Sequence, residues 1–577
     1  MRRRVFFLAL LIVWWPRSAL AEGGAQGLPA AEEAFTERAA ELGLDFVHLN
    51  GASGKLYLAE ILGSGAALWD YDQDGDLDLY LVQGGRLEAR PPANEGREQP
   101  DQPLGRLFRN LLIESGRLAF RDATAESGLR TAGYGMGVAA GDFDNDGDLD
   151  LYLANFGHNQ LWRNNGDGSF TDVTAAAGAD DPRFSTGAAW LDYDDDGFLD
   201  LFVCNYVDFS LESHKECRGP SGLIDYCGPL SYQPYPDRLL RNRGDGTFSD
   251  DSASSRIASE YGGCLGVAAD DFDLDGRLDL YVANDALANQ LWINRGDGRF
   301  ENRALLAGCA FNAEGKAEGS MGIDSGDYDG DGDPDLFMTH IFEEKNTLYR
   351  NLGSGSFEDA SFDVGLAAPS YGRTGFGTAW IDYDGDGWLD LLIANGAVRF
   401  YPRSRSAAQP YPLDERNQLF RNLGGGRFEE TSAAGGPAFE LSEVSRGAAF
   451  GDLDNDLDPD VVITNNGGPV RLLINQAGNR SRWLGLRLLR GKRDAYGASA
   501  GVQLEDGRVL WRRVRAEGSY ASSNDPRIAF GLAAEHQVVG VTVRWPGGRC
   551  EQWKGAELAV GRYNVLQQGR GRSCRSG

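Results

Sequence analysis

Seven times along the chain the pattern Asp-x-Asp-x-Asp-(Gly)-x-x-Asp appears, with glycine in all but the last copy, each leading straight into an apolar, β-type stretch. The copies start at Asp70, Asp142, Asp192, Asp271, Asp327, Asp382 and Asp452, at intervals of roughly 50 to 80 residues. One such loop is a common accident. Seven make an internal repeat, and a repeat of this kind constrains architecture and ligand chemistry together.

The candidate ligands are Asp70, Asp72, Asp74, Asp76 and Asp78 in the first loop, and Asp142, Asp144, Asp146, Asp148 and Asp150 in the second. The third and fourth hold Asp192, Asp194, Asp196 and Asp200, then Asp271, Asp273, Asp275 and Asp279. The fifth has Asp327, Asp329, Asp331, Asp333 and Asp335; the sixth has Asp382, Asp384, Asp386 and Asp390. Asp452, Asp454, Asp456, Asp458 and Asp460 complete the set. Alternate side chains folding inward, with a backbone carbonyl from position seven, give the hard oxygen ligands that calcium takes. Two carboxylates about 5 Å apart repel by roughly 3 kcal/mol at an effective dielectric near 20. Four such groups make six pairs and roughly 20 kcal/mol, more than a typical domain's stability, so empty loops would have to splay or protonate. An EF-hand needs a bidentate Glu at position twelve and flanking helices. Here position twelve is Leu81 or Leu153, inside strand-like runs, which excludes EF-hands and dockerin-like pairs. Up to seven calcium ions are expected. Leu457 replaces glycine at position six of the last loop, where a β-carbon costs about 1 kcal/mol, so the seventh site is expected to be the weakest.

Two further signatures keep step with the loops. A hairpin pattern, as in Leu161-Trp162-Arg163-Asn164-Asn165-Gly166-Asp167-Gly168, recurs around Leu239, Leu291, Leu348 and Leu419. A strand opening on Phe follows it, at Phe120, Phe170, Phe248, Phe300, Phe357 and Phe428. Four short antiparallel strands repeated seven times predict an all-β chain, a seven-bladed β-propeller. The last unit, ending Leu472-Leu473-Ile474-Asn475, lacks its Phe-initiated strand, while Phe35-Thr36-Glu37 sits unclaimed at the other end. Pairing of these two segments would close the ring and remove exposed edges.

Met1-Arg2-Arg3-Arg4, an apolar core to Trp15 and Ala19-Leu20-Ala21 read as a signal peptide over 1–21. This predicts export to the periplasm, cell surface or exterior, with no transmembrane segment in the mature chain. The propeller is expected over 22–478, a smaller β domain over 479–569, and a tail over 570–577. With 56 basic against 86 acidic residues the formal charge is −30, which argues against nucleic acid as partner. The seven cysteines of an exported chain suggest disulfides. Cys217 with Cys227 is the best pair, Cys550 with Cys574 would staple the tail, and Cys264 with Cys309 is a weaker expectation; Cys204 reads as a small core residue.

The Asp-Tyr-Asp-x-Asp-Gly-Asp loops with Gly-rich lead-ins (Gly135-Met136-Gly137-Val138-Ala139-Ala140-Gly141-Asp142) resemble the FG-GAP (VCBS) repeats of integrin α-type propellers. Residues 480–568 resemble the ASPIC/UnbV domain at Trp483-Leu484, Arg493-Asp494-Ala495-Tyr496-Gly497-Ala498, Phe530-Gly531-Leu532 and Val543-Arg544-Trp545-Pro546-Gly547-Gly548. Together they look like the bacterial relatives of cartilage acidic protein, in which the position-matched aspartates bind calcium. The departures are Leu457 and Ala495-Tyr496. Taken alone, the alternation of 480–568 fits a small antiparallel β domain.

Long insertions at about 84–106, 205–238 and 396–417 fall in the second turns, on the face opposite the acidic loops. Tyr226, Tyr232, Tyr235, Arg399, Tyr401 and Arg403 there form an aromatic and cationic group of the kind that anchors partners; the alternative is that these loops pack on one another as lids. No His-Glu-x-x-His, nucleophile elbow or phosphate loop occurs, so no enzymatic activity is expected. The expected function is an exported calcium-binding propeller that engages a protein or glycan, with calcium structural. A polysaccharide-binding or polysaccharide-processing propeller and a structural envelope component are the alternatives.

Overall fold

The computed structural model describes residues 33–87, 104–219, 222–400, 413–533 and 536–574; the expected signal segment lies outside them. Each acidic loop joins the first and second strands of an antiparallel sheet. In the first, Ala66–Trp69, Asp78–Leu81, Arg106–Asn110 and Phe120–Asp122 lie side by side in chain order. Equivalent sheets follow at the next loops. The second differs: Asp150–Asn164 is one continuous strand that pairs with Tyr134–Gly141 at one end and with Phe170–Asp172 at the other. Gly157, at φ 102°, lies within this continuous strand.

The last sheet is completed from the other end of the described chain. Phe35–Glu37 runs antiparallel to Arg471–Asn475, with Phe35 opposite Asn475 and Glu37 opposite Leu473. The innermost strands touch in sequence, from Ala66–Trp69 through Tyr134–Gly141, Ser185–Leu191, Cys264–Asp270, Ile323–Gly326 and Gly375–Ile381 to Ser445–Gly451, which returns to the first. The result is a closed, propeller-like ring.

A second closed circuit reinforces it. The hairpin Asn of each unit donates from Nδ2 to a backbone carbonyl in the acidic loop of the preceding unit. Asn164, Asn242, Asn294, Asn351, Asn422 and Asn475 reach Tyr71, Phe143, Tyr193, Phe272, Tyr328 and Tyr383, and Asn110 closes the cycle on Leu453, all at 2.7–3.0 Å. All seven asparagines are buried, where a lost partner is expensive.

The C-terminal domain has two sheets. Trp483–Arg490 pairs antiparallel with Ile528–Gly531 but parallel with Tyr563–Gln567, a departure from the purely antiparallel expectation. It arises because the chain crosses to the second sheet through Val538–Arg544 and Cys550–Lys554 before returning. Arg572–Ser573 adds to the edge of Cys550–Lys554, and Cys550–Cys574 fastens it, with Cα atoms 5.4 Å apart.

This domain sits on the acidic-loop face and sends residues 517–525 into the bore of the ring. Val138 N donates to Ala521 O (3.1 Å), Ile323 N to Ser519 O (2.9 Å) and Thr378 N to Ser519 Oγ (3.2 Å). Ser523 Oγ accepts from Ala140 N (3.1 Å), Asn524 Oδ1 from Phe450 N (3.0 Å) and Glu517 Oε1 from Ala269 N (3.3 Å). The Gly-rich lead-ins are explained here: a β-carbon on Gly65 would lie 1.7 Å from Ala521 O. Tyr520 at the tip is 1% exposed, packs edge-on to Phe376 and donates from its hydroxyl to Leu62 O (3.0 Å). Leu62 ends the short helix Ala59–Leu62, whose side chains share the buried cluster around the other mouth. The bore is filled from both sides.

Two cysteine assignments need correction. Cys204 is bonded to Cys264, with Cα atoms 5.2 Å apart, and Cys309 is the free, buried thiol. Cys204 lies next to the end of a strand of one sheet and Cys264 begins the inner strand of the next, so the bond spans the boundary between sheets. Cys217–Cys227 forms as expected.

Candidate metal centres

Each loop owes its shape to backbone donors. In all seven, the N–H of position six donates to Oδ2 of the first Asp, from Gly75 to Asp70, Gly147 to Asp142, Gly197 to Asp192, Gly276 to Asp271, Gly332 to Asp327, Gly387 to Asp382 and Leu457 to Asp452. The ninth-position Asp is clamped at both oxygens. Asp78, for example, accepts from Tyr71 N (3.1 Å) and Asn110 N (2.8 Å), and Asp150 from Phe143 N (3.0 Å) and Asn164 N (2.8 Å). Position four is left-handed throughout (Gln73 φ 59°, Asn145 61°, Asp195 56°, Leu274 59°, Asn455 59°, with Gly330 and Gly385 in the same region). Glycine at position six is only part of the turn signal. The Gly and Asn at position four were the available signal.

The carboxylates converge. Asp70, Asp72 and Asp78 bring one oxygen each within 4.8 Å of one another, as do Asp142, Asp144 and Asp146, then Asp192, Asp194 and Asp200, and Asp271, Asp273 and Asp279. Buried carboxylate oxygens without any donor mark the focus: Oδ1 of Asp70, Asp72, Asp192, Asp329, Asp382, Asp384 and Asp454. A buried anionic oxygen left unpaired is costly, and a hard cation is the partner that fits four to five carboxylates at this spacing. Burial, then the neighbouring carboxylates, pushes Asp70 up to about 7. Burial also leads for Asp142, Asp271, Asp327 and Asp382, each at about 7.

Position seven behaves differently. Asp76 Oδ2 accepts from Ile113 N (2.8 Å) and Asp148 accepts from Gln73 Nε2, so these side chains turn toward neighbouring backbone or loops. Both oxygens of Asp458 are buried and unpartnered. The fifth-position carboxylates accept from the position-seven N–H, as Asp386 does from Trp388 (3.0 Å). Arginines outside the acidic motif hold positions three and five from outside. Arg109 lies 2.8 Å from Asp72 and 3.2 Å from Asp74, Arg241 2.6 Å from Asp194, and Arg421 2.6 Å from Asp384 and 3.1 Å from Asp386. Each directly precedes a clasp asparagine, and that Arg-Asn pair was visible in the hairpin motif.

Leu457 does adopt the strained conformation, at φ 82°. Its side chain is 3% exposed and lies close to Gly485 of the C-terminal domain, so packing offsets the strain and the loop keeps its shape. Tyr496, the other departure, is buried and donates to Ala140 O (3.1 Å), seating its domain on the ring.

That domain reaches the loops directly. Arg490 and Arg493 contact Asp192 Oδ2 at 2.8 and 3.2 Å, and Gly531 N donates to Asp382 Oδ2 (3.1 Å). Carbonyls at position six accept as well: Gly197 O from Arg493 (3.2 Å), Gly276 O from Gly547 N (3.0 Å) and Gly387 O from Arg512 (3.1 Å).

On the opposite face the insertions pack on one another. Tyr226 and Tyr232 are 8% and 6% exposed, in a cluster with Tyr57, Phe209 and Cys227. The expected partner-anchoring tyrosines are therefore lid contacts, because the aromatic rings cover the bore mouth. Tyr235 is half-buried and donates its N–H to Tyr206 O (2.9 Å); Arg399 is half-buried against Gly228. Tyr401 and Arg403 lie outside the described residues. Among the described residues no helix is long and apolar enough to cross a membrane.

Two family models match this chain. The FG-GAP-like repeat model matches residues 70–153, 142–203, 222–282, 271–338, 327–393 and 408–463, and the model described as ASPIC and UnbV matches 489–573. Cartilage acidic protein 1 of Homo sapiens is 30% identical over 197 residues, 32% of this chain and 27% of that protein; that of Xenopus tropicalis is 29% identical over 195 residues, 32% and 28%. The match thus spans little more than a quarter of those relatives. Among solved structures, the BP39L lectin from Burkholderia pseudomallei has a TM-score of 0.41 at 12% identity, covering 73% of this chain and 98% of that one. The Agrocybe aegerita lectin that recognises non-reducing terminal N-acetylglucosamine has a TM-score of 0.36 at 14% identity, covering 70% and 87%. The repeat model alone covers more than half of the sequence, and the chain belongs to the FG-GAP-like repeat proteins that carry a C-terminal ASPIC/UnbV domain.

Proposed function

We propose that this is an exported, seven-bladed propeller that holds a calcium ion in each acidic loop, and that it serves as a binding module rather than an enzyme. One observation carries the metal reading. In the loops the backbone holds Oδ2 of the first Asp and both oxygens of the ninth, and in the first, third, fifth, sixth and seventh at least one further carboxylate Oδ1 is buried without a donor. Calcium supplies the positive charge that makes such a focus favourable. The first, third, fifth and ninth aspartates would hold it, and the backbone clamps hold those ligands in place.

The same groups argue for a structural role. The clasp asparagine donates its own N–H to the ninth-position Asp and its side-chain N–H to the preceding unit, so a filled loop stiffens the joint between neighbours. The three disulfides are in keeping with export. Residues 517–525 occupy the bore, and we take this to favour recognition of a protein or glycan at a surface or cleft. The test is metal content by mass spectrometry together with melting with and without EDTA. Several calcium ions per chain and a melting point lowered by many degrees are expected; a metal-free protein indifferent to EDTA would overturn the reading.

A further inference from the structure

In the first six acidic loops the glycine of position six bonds in two directions. Its N–H holds Oδ2 of the first Asp, and its carbonyl accepts from a neighbour. For the first three loops that neighbour is the preceding loop. Asn455, Gln73 and Asn145, all at position four, donate from their side-chain amides to Gly75 O (3.0 Å), Gly147 O (3.0 Å) and Gly197 O (2.9 Å). The series stops there. Asp195, Leu274 and Gly330 occupy position four of the next loops, and an ionised Asp, a Leu and a Gly have no side-chain donor. The C-terminal domain supplies the missing donors. Gly276 O accepts from Gly547 N (3.0 Å), Gly332 O from Arg544 (3.4 Å) and Gly387 O from Arg512 (3.1 Å).

The domain holds other loop carbonyls as well. Ser481 Oγ donates to Asp384 O (3.0 Å), Ala533 N to Gly385 O (2.9 Å), Arg527 to Asp452 O (3.0 Å) and the exposed Lys492 to Asp146 O (3.0 Å). These acceptors belong to the loop backbone, so they keep their places only while the loop keeps its shape. Without an ion, four or five carboxylates face one another, and like charges at this spacing drive the loop open. The position-six peptide moves with the Asp that it holds, and its carbonyl leaves the donor on the C-terminal domain. That domain also carries residues 517–525, the plug of the bore, to which ring amides from Val138 to Phe450 donate. Loop shape and plug seating therefore share one set of bonds.

We propose that the C-terminal domain is a calcium-dependent strap: ion binding in loops four, five and six and seating of the plug in the bore form one linked equilibrium. The inference rests on the calcium reading and adds regulation to it. Linkage makes the effect mutual, so whatever loosens the strap lowers the calcium affinity of those loops. Loop one, whose Gly75 O is held by Asn455, is the reference. Exported modules fill at about 0.1–1 mM calcium, and seating responds over the same range.

Hydrogen exchange read by mass spectrometry on the full chain tests the strap, with metal content measured on the same sample. In EDTA, below the melting point, the amides of Val138, Ile323 and Thr378, which donate to the plug, should lose about tenfold of their protection. The interior of the central strand Asp279–Asn284 should keep its own. In a calcium titration, the protection midpoints of residues 271–279, 327–335 and 382–390 report the strapped loops, and that of 70–78 reports the reference. Tyr520→Ala alters only the tip of the plug, against Phe376 and Leu62 O. It should raise the first three midpoints about tenfold, within the usual range for coupled sites, and leave the reference in place. Arg544→Ala, on an exposed residue, is the companion variant should the first fail to fold, and it should raise the midpoint of loop five most, about fivefold. Plug-facing amides that stay protected in EDTA after calcium has been stripped would overturn the strap and spare the calcium reading. Midpoints that the folded variant leaves unchanged, or shifts equally in every loop, would do the same. A protein that binds no calcium would overturn both.

Discussion

Tyr520→Ala tests the coupling of the two domains most directly. The side chain is 1% exposed, lies 4.8 Å from the Phe376 ring centroid and joins the plug to Leu62 O. Truncating a buried aromatic costs about 3–5 kcal/mol, and the lost hydroxyl bond adds about 1 kcal/mol, for roughly 4–6 kcal/mol. Unfolding entropy near 2.1 cal/mol/K per residue amounts to roughly 1 kcal/mol/K for a unit of this size melting as one. The melting point should therefore fall by about 4–6 °C. Tyr520→Phe, which keeps the ring, should cost only about 1 °C. Hydrogen exchange gives a local readout: the amides of Val138 and Ile323, which donate to Ala521 O and Ser519 O, should lose protection in the Ala variant. A shift below about 1 °C with those amides still protected would refute the seating of the plug.

Two further outcomes are expected. The carboxyls of Asp70, Asp142, Asp271, Asp327 and Asp382 stand near 7 in the calcium-free fold against about 3.9 when unfolded. The folded state thus binds more protons between these values, and this stabilisation is complete below about pH 4 and lost as pH rises through 7; in EDTA the melting point should be higher at pH 5 than at pH 8, calcium should stabilise more at pH 8, and the reverse order in EDTA would contradict the burial of these groups. Asn242→Ala removes the donors to Phe143 O (2.7 Å) and Leu199 O (3.0 Å), so chemical denaturation should show a loss of about 2–4 kcal/mol, and a loss below about 0.5 kcal/mol would mean that the clasp does not hold the ring.

Local chemistry repeated often enough is legible in the chain itself. The seven loops, the hairpin pattern, the Phe-initiated strands and the pairing of Phe35–Glu37 with Arg471–Asn475 could all be read from spacing, because each depends on residues within one unit or on what one unit lacks. The aspartate clusters were readable for the same reason: a nine-residue loop brings its own ligands together. The Arg-Asn pair was equally visible, yet its role was not, since Asn164 acts on Tyr71, 93 residues away.

Only the tertiary structure decided what happens between units. Cys204 looked like a core residue until the next sheet placed Cys264 beside it. Tyr226 and Tyr232 looked like partner anchors until the insertions folded over the bore. Residues 517–525 carry no repeat signature, and their place in the bore follows from the docking of a whole domain. Periodicity encodes contacts within a repeat, whereas contacts between distant segments depend on how complete surfaces fit, and no local pattern records that.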